Sequence, residues 1–237
     1  MTEYATFIEQ LVCAIKSQEP LPAFPESLEL DRAYSLLPDV VTGVTGADVA
    51  GVKAGLTNPD LRALFGLESS LLGQLYGSGR MQQGQAVPYH EKLAIECEIG
   101  IVVDAAGQPR SFGPALEFVC VDFARPEDMT PANLVLCNLG AWGFIQGPQK
   151  PWSDHILDSP VVLSRDGETV LETSIGDSLG GPVAALQWMR EEAGRRGIPA
   201  SDGALLMTGT CGGAVPAERG HYKADYAELG SVEFTIA

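Results

Sequence analysis

Apolar and polar side chains alternate along residues 94–103, the most regular pattern in the chain. Side chains two residues apart share one face of a β-strand. The apolar face of this predicted strand comprises Ile95, Cys97, Ile99, Ile101 and Val103. Glu96 and Glu98 then lie together on the other face, with Cα atoms about 6.5 Å apart. Two carboxylates at this spacing are either solvated side chains of a sheet surface or ligands of one hard divalent cation.

Weaker helix and strand periods run through the rest of the chain. Apolar residues at helical spacing predict an amphipathic helix over 3–17 that packs on the protein. A second, short helix is expected from Ser27 to Leu37, and a long late helix from Gly180 to Gly197. Further strands are predicted over 49–57, 115–123, 204–208 and 231–236.

Turn residues separate these elements. Residues 161–172 predict a β-hairpin with a type I′ turn at Asp166-Gly167, and Asp104 to Gly107 predicts another hairpin loop. The glycine-rich segment from Leu61 to Gln85 predicts a mobile loop or lid rather than part of the core. No segment repeats and no linker divides the chain. We therefore expect one β-rich, metal-binding catalytic domain over 49–237, with a small helical appendage over 1–48.

The composition restricts the class of protein and its partners. Of the 237 residues, 45% are apolar and 19% charged, which is enough apolar material for a sizeable core. The formal net charge of −16 opposes binding to nucleic acid or to an anionic membrane surface, because both require clustered Lys and Arg. A small anionic substrate would need this charge to be offset locally, and a bound dication would do so.

Location and redox state are inferred from features that the sequence lacks. The N-terminus has no basic segment followed by an apolar core, and no apolar run approaches the ~18 residues of a membrane span. We therefore expect a cytoplasmic protein. The five cysteines form no Cys-x-x-Cys pair, and several lie in apolar runs, where a free thiol behaves as a small apolar group. We expect all five to be reduced and structural.

A third glutamate and a lysine are further candidate residues of a metal-binding site. Glu117 lies in the strand predicted over 115–123, and Lys53 is the only charge in the apolar run 49–57. A lysine in such a run either reaches water or serves a site, and the pattern alone favours a side chain that reaches water. Crowded carboxylates raise one another's pKa unless a cation neutralises them. Three of them on magnesium or manganese leave about three octahedral positions for water or substrate.

Four short motifs occur in order along the chain. They are Lys53-Ala54-Gly55-Leu56-Thr57, Glu96-Cys97-Glu98, Pro114-Ala115-Leu116-Glu117, and Thr208-Gly209-Thr210 through Ala214-Val215-Pro216. With the segment Gly180 to Leu186, they resemble the fumarylacetoacetate hydrolase superfamily. The branch that they resemble contains 2-hydroxypenta-2,4-dienoate (2-keto-4-pentenoate) hydratases and 4-oxalocrotonate decarboxylases. The resemblance implies an α+β, mostly β fold, with a mixed β-roll, barrel-like core of the superfamily's C-terminal domain type and a small helical N-terminal region.

The same resemblance implies a metal, an assembly and a reaction. Magnesium or manganese is expected on Glu96, Glu98 and Glu117, beside an active-site lysine at Lys53. The expected enzyme is a homo-oligomeric, metal-dependent hydro-lyase or carboxy-lyase of aromatic catabolism that acts on a small anionic 2-oxo acid. Its expected reaction is hydration of a 2-hydroxypenta-2,4-dienoate-like substrate through a metal-stabilised enolate.

One departure from the branch's pattern bears on the reaction. Where the branch has a Leu-Leu-Asp-Ser-like segment, whose aspartate is thought to assist proton transfer, this chain has Leu75-Tyr76-Gly77-Ser78. Arg80 or Tyr76 is a candidate contact for a substrate carboxylate instead. Leu56 and Thr210, which lie in two of the matching motifs, are the other expected substrate contacts.

The proton donor and the exact reaction stay open from the sequence. His90, directly before the metal strand, is the first candidate proton carrier, and His155 is the second. A decarboxylase of 4-oxalocrotonate-like or other 2-oxo acids is an alternative enzyme. An acylpyruvate C–C hydrolase is another, although no histidine precedes His90 to act from a lid. A degenerate family member that only binds a metal or an oxo acid is the alternative that is not an enzyme.

Overall fold

The computed structural model describes residues 4–25, 28–198 and 201–237. The α-helices are α1 (Ala5–Ser17), α2 (Leu30–Thr45), α3 (Pro59–Leu64), α4 (Pro131–Leu136) and α5 (Pro182–Arg196). The strands are β1 (Val49–Gly55), β2 (Leu71–Tyr76), β3 (Arg80–Met81), β4 (Ala86–Val87), β5 (Leu93–Val103), β6 (Pro109–Cys120), β7 (Ala141–Gln146), β8 (Lys150–Pro151), β9 (Pro160–Arg165), β10 (Glu168–Ser174), β11 (Leu205–Met207), β12 (Val215–Pro216), β13 (Gly220–Asp225) and β14 (Ser231–Ile236). No helix within these ranges is both long enough and apolar enough to span a membrane.

The strands of the described residues form two sheets. The larger, nine-stranded sheet has the order β2-β1-β11-β5-β6-β7-β3, with β12 paired to β5 and β8 paired to β6. The smaller sheet has the order β10-β9-β13-β14-β4. Parallel pairs join β1 to β11, β3 to β7 and β4 to β14, whereas the other pairs are antiparallel. This curled, mixed sheet with a second sheet and few helices confirms the predicted fold class.

The longest strand pair, β5 with β6, has two chemically different faces. The apolar residues predicted for β5, from Ile95 to Val103, are fully buried. They pack against Leu163 of β9 and Phe234 of β14 in the core between the two sheets. The alternation in the sequence is therefore confirmed as a strand with one core face. The opposite face of the larger sheet carries Glu96 and Glu98.

The N-terminal helices have a hydrophobic cluster of their own. Leu11 of α1, Leu37 and Val40 of α2, Leu71 of β2 and Val135 of α4 are members of it, so the prediction that the first helix packs on the protein is confirmed. The predicted start of that helix includes Glu3, which lies outside the described residues. The appendage over 1–48 stays a prediction.

The second helix is longer than the sequence predicted. Its predicted start, Ser27, lies outside the described residues, and it continues beyond Leu37 to Thr45 with Pro38 inside it. A proline removes one backbone donor and disfavours a helix interior. Val40 and Val41 are nevertheless buried on the helix face that continues past it, and this burial extends the helix.

The prediction of a mobile loop from Leu61 to Gln85 is wrong. The segment contains α3 and then β2, whose Leu72 and Leu75 are 0% and 2% exposed. Glycine in this segment provides space as well as turns. A Cβ at Gly73 would lie 3.2 Å from Lys53 Cε on the neighbouring strand. Gly73 therefore permits close packing around Lys53.

Several local predictions are confirmed with adjusted ends. Strands β9 and β10 form the predicted hairpin, and Asp166 and Gly167 have φ values of 50° and 88°, as a type I′ turn requires. Helix α5 ends at Gly197, which has the left-handed conformation of a helix C-cap. The strand with Glu117 begins earlier than predicted, at Pro109. Strand β13 was not predicted.

We predict opposite stability effects for two glycine-to-alanine substitutions. A Cβ at Gly51 would overlap the backbone of Leu205 on the adjacent strand, so Gly51→Ala should lower the free energy of unfolding by about 1–3 kcal/mol or more. Gly194 is inside α5, and apart from the backbone of its own helix no atom of the described residues lies within 4 Å of the position that a Cβ would take there. Gly194→Ala should therefore raise the free energy of unfolding by about 1 kcal/mol. Urea unfolding measures both. Equal stability of the two variants would contradict the close packing of β1 against β11.

Candidate active site

Strand register brings three glutamates together on one face of the larger sheet. Glu96 on β5 lies directly opposite Glu117 on β6, and Glu98 lies two residues further along β5. Carboxylate oxygens of the three residues lie within 4.8 Å of one another. Because antiparallel pairing places opposite side chains on the same face, the period of the two strands and this register together build the cluster.

Burial makes the cluster chemically demanding. Glu98 and Glu117 are 0% and 1% exposed, and Glu96 is half-buried, so the alternative of a solvated strand face is wrong. Desolvation, followed by repulsion from Glu117, raises the pKa of Glu96 to about 7. Desolvation and the two neighbouring carboxylates raise the pKa of Glu98 well above its usual range. Burial also raises the pKa of Glu117, against the opposing effect of Lys53.

Lys53 is the positively charged side chain that pairs with the glutamates. Its side chain is 2% exposed, so the expectation that it reaches water is wrong. Its Nζ lies 2.5 Å from Glu117 Oε1 and donates a hydrogen bond to the backbone oxygen of Leu139 at 2.9 Å. A buried ammonium is stable only when paired and hydrogen-bonded, and both conditions are met here.

The remaining oxygens of the cluster fit a divalent cation. The backbone N–H of Gly209 donates to Glu98 Oε2 at 2.8 Å, which fixes the orientation of that carboxylate. Glu98 Oε1 and Glu117 Oε2 are buried and have no hydrogen-bond partner among the described residues. Unpaired buried acceptors are costly, and three clustered carboxylates prefer hard cations such as magnesium, manganese or calcium. The donor set therefore fits the predicted metal.

Two predicted substrate contacts, Leu56 and Thr210, are close in sequence to residues that hold this site. Leu56 directly follows β1, the strand that carries Lys53, and its φ of 51° is left-handed, which is unusual for a residue with a branched side chain. Thr210 follows Gly209, the residue that binds Glu98. The Thr210 hydroxyl is buried and has no hydrogen-bond partner in the described part of the chain.

Arg80 lies further across the same sheet. Phe144 on β7 is opposite both Glu117 on β6 and Arg80 on β3, so these residues form one row across three strands. The Arg80 guanidinium lies 5.0 Å from the centre of the Phe144 ring, and its Nη1 donates to Gln146 Oε1 at 2.9 Å. No carboxylate of the described residues forms a salt bridge with Arg80.

The predicted proton carriers lie elsewhere in the fold. The His90 ring Nδ1 is 3.4 Å from Cys120 Sγ and accepts a hydrogen bond from the Lys92 backbone N–H. It lines a small cavity that also includes Cys137 and Trp142 but none of the three glutamates. His155 is exposed in the loop before β9. All five cysteines are free thiols; Cys97, Cys137 and Cys211 are buried, as a structural role requires, whereas Cys13 is exposed.

The surroundings of Gly77 include a carboxylate that the sequence did not reveal. A Cβ at Gly77 would overlap the carboxylate of Asp48, and the Gly77 N–H donates to the Asp48 backbone oxygen at 2.8 Å. The acidic group of Asp48 therefore fills the space next to the position where the hydratase branch has an aspartate. The pairing of β1 with β2 creates this proximity, and only the exact register would have predicted it.

Asn138 and Leu139 are the other site residues that sequence reasoning missed. Asn138 is fully buried, and its side chain binds the backbone of Gln74 on β2. Leu139 contributes only its backbone oxygen to Lys53, so no side-chain motif could identify it. The signal available in the sequence was an asparagine two residues before a glycine, Asn138-Leu139-Gly140, within an apolar segment.

Comparison with known proteins agrees with this arrangement. No protein-family profile matches the chain. The chain is 26% identical over 208 residues to a 2-keto-4-pentenoate hydratase of Burkholderia vietnamiensis, covering 81% of this chain and 79% of that protein. It is also 26% identical over 235 residues to a 2-keto-4-pentenoate hydratase of Paraburkholderia xenovorans, covering 90% of this chain and 86% of that protein.

Two solved structures establish the fold. A 4-oxalocrotonate decarboxylase from Pseudomonas putida G7, complexed with magnesium and adipate, superimposes with a TM-score of 0.86 at 22% identity, covering 98% of this chain and 96% of that one. A fumarylpyruvate hydrolase from Pseudomonas aeruginosa, in complex with Mn²⁺ and pyruvate, superimposes with a TM-score of 0.61 at 16% identity, covering 78% of this chain and 88% of that one. The hydratase relatives and these structural neighbours support the resemblance to the fumarylacetoacetate hydrolase superfamily that the motifs indicate.

We predict that Glu98→Gln separates metal binding from folding. Glutamine keeps an acceptor for the Gly209 N–H but removes one negative charge from the cluster. Mn²⁺ affinity, measured by electron paramagnetic resonance, should fall at least about 100-fold, beyond the range typical of residues outside the ligand shell. The metal-free protein should be no less stable, because a buried charge is removed. Glu172→Gln, at an exposed position on β10, is the control and should change neither property.

We also predict that metal binding strengthens with pH. The raised pKa of Glu96, about 7, and the raised pKa of Glu98 mean that protons compete with the cation up to neutral pH. Apparent Mn²⁺ affinity should therefore rise between about pH 5 and about pH 7, the range in which Glu96 with its raised pKa loses its proton. The metal-free protein should show the opposite trend in stability, which is lost as pH rises through the folded-state pKa values. A pH-independent affinity would contradict the cluster as the binding site.

Proposed function

We propose that the protein is a divalent-metal-dependent lyase for a small 2-oxo or 2-hydroxydienoic acid. Its proposed reaction is hydration of a 2-hydroxypenta-2,4-dienoate-like substrate through an enolate, within aromatic catabolism. The observation that carries the proposal is the buried face on which Glu96, Glu98 and Glu117 meet the ammonium of Lys53. The likeness to 2-keto-4-pentenoate hydratases supports the reaction type.

The three glutamates are the proposed ligands of magnesium or manganese. Solved neighbours of this fold are complexed with magnesium, calcium or manganese, which supports a divalent ion. When bound, such an ion acts as a Lewis acid that polarises a 2-oxo group and stabilises negative charge on its oxygen. Three carboxylates, one dication and Lys53 have no formal net charge together. A substrate carboxylate therefore meets no local repulsion, despite the acidity of the whole chain.

Lys53 is the proposed catalytic cation. Its ammonium has three N–H donors; Glu117 and the Leu139 oxygen engage two of them. The remaining N–H is available to the oxygen on which charge develops when the dienol converts to its keto form. A preorganised donor in a buried site stabilises such charge more than water does. Lys53 would therefore lower the barrier to enolate formation.

The substrate contacts proposed for this chain are Leu56, Thr210 and Arg80. The unpaired hydroxyl of Thr210 is available to a substrate oxygen. Arg80 is held over Phe144 and next to Gln146, where its guanidinium offers paired donors to a carboxylate. Lys53 is the proposed proton carrier, whereas His90 and His155 stay predictions from the sequence, because His90 lines a cavity that contains none of the three glutamates.

Decarboxylation of a 4-oxalocrotonate-like acid is the second candidate reaction. Arg80 supports it, because its guanidinium forms no salt bridge with a described residue and such a substrate has a second carboxylate. An acylpyruvate hydrolase has less support, because it would need a water-activating histidine and His90 lines a different cavity. The homo-oligomeric state and the cytoplasmic location stay predictions.

Turnover of freshly generated 2-hydroxypenta-2,4-dienoate tests the proposal. The reaction should yield 4-hydroxy-2-oxopentanoate, identified by NMR, with magnesium or manganese and not with EDTA. Lys53→Met should lower kcat by roughly 100-fold or more, as expected for loss of one preorganised donor, while Mn²⁺ still binds. Inactivity with this substrate but turnover of 4-oxalocrotonate would favour the decarboxylase. Inactivity with both, and with acylpyruvates and oxaloacetate, would favour a binding protein.

A further inference from the structure

The position of the Lys53 ammonium depends on one backbone oxygen. A lysine side chain has four rotatable methylene units, and the ion pair with Glu117 alone does not fix the direction of its N–H bonds. The Leu139 oxygen, 2.9 Å from Nζ, supplies the second point of attachment. Whatever orients this oxygen therefore orients the ammonium over the glutamate cluster.

The backbone that presents this oxygen has an unfavourable conformation. Asn138, Leu139 and Gly140 have successive φ values of 55°, 54° and 66°. Glycine adopts such values readily, and asparagine tolerates them, but leucine does so rarely. A left-handed run of three residues persists only when its surroundings hold it in place.

The side chain of Asn138 is what holds this turn. Its Oδ1 accepts a hydrogen bond from the Gln74 backbone N–H, and its Nδ2 donates to the Gln74 backbone oxygen, both at 2.8 Å. Gln74 lies on β2, the terminal strand of the larger sheet. The carboxamide thus takes the place of a neighbouring strand. A carboxamide suits this position because it both donates and accepts.

Glycines leave the space that this arrangement needs. Gly73 is opposite Lys53 in the β1–β2 pairing, and a Cβ there would lie 3.1 Å from Asn138 Oδ1. A Cβ at Gly55 would lie 2.7 Å from Leu139 Cδ1. The lysine, the amide and the turn therefore pack as one unit against β2.

We propose that Asn138 is a positioning residue for the catalytic lysine. Its carboxamide fixes the Asn138–Gly140 turn to β2, the turn directs the Leu139 oxygen at Lys53, and this hydrogen bond aims the ammonium at the substrate oxygen. The inference rests on the proposed function for the purpose of the ammonium. The structural link from Asn138 to Lys53 is independent of it.

A double-mutant cycle with a binding readout tests the coupling. The probe is oxalate, a planar dianion that resembles the enolate of a 2-oxo acid, bound to magnesium-loaded protein and measured by calorimetry. Asn138→Ala should weaken oxalate binding about tenfold when Lys53 is present, within the range for coupled neighbours. In the Lys53→Met background it should have almost no effect. Equal effects in both backgrounds would show a merely structural role and overturn the inference.

Asn133 provides the matched control. It is another buried asparagine, on α4, whose Nδ2 donates to the Asp128 backbone oxygen. Asn133→Ala should cost stability without changing oxalate affinity in either background. Mn²⁺ affinity should be unchanged in the Asn138 variants, because Asn138 is not a proposed ligand. If Asn138→Ala does not fold, Asn138→Asp replaces it in the cycle, since aspartate still accepts from Gln74 but cannot donate to it.

A crystal structure of the same Asn138 variant separates this inference from the proposed function. The Lys53 Nζ should no longer lie within hydrogen-bond distance of the Leu139 oxygen. If that contact persists, the inference is wrong, whatever the oxalate data show. If the contact is lost but wild-type protein with magnesium binds no oxalate, the link to Lys53 stands and the proposed 2-oxo acid function fails.

Discussion

The burial of three carboxylates with a single ammonium is the constraint on which the rest of the structure depends. Glu96, Glu98 and Glu117 share one face of the larger sheet, and Lys53 is the cation that pairs with them there among the described residues. Like charges in a low-dielectric interior repel strongly and raise one another's pKa. A divalent cation would remove this conflict. With the charge neutralised, the face would also suit the anionic substrate that we propose.

The two-faced pair of β5 and β6 makes this arrangement compatible with a stable protein. Its other face lies in the apolar core between the two sheets, so the cost of the buried charges is offset by packing on the opposite side of the same strands. Glycines on the neighbouring strands keep space for Lys53 and for the turn after α4. Stability and chemistry are thus divided between the two faces of one sheet.

The candidate site could be predicted in part, and the missing parts share one cause. The glutamates follow from strand alternation and short motifs, because these patterns are local. The burial of Lys53 could not be predicted, since it depends on Glu117 and Leu139, which lie far away in the sequence. The glycines between Leu61 and Gln85 suggest mobility for the same reason. Two of them, Gly73 and Gly79, instead make space for contacts with other strands.

The sequence by itself determined the apolar core strand, the late hairpin and helix, and the three glutamates as a candidate set. These features depend on side-chain period, turn chemistry and motifs, which are properties of neighbouring residues. Only the tertiary structure decided that Asp48 lies against Gly77, that Asn138 binds the edge of β2, and that a backbone oxygen holds Lys53. Such contacts depend on the register between strands that are distant in sequence. A shift of one residue in this register moves every side chain of a strand to the other face of the sheet.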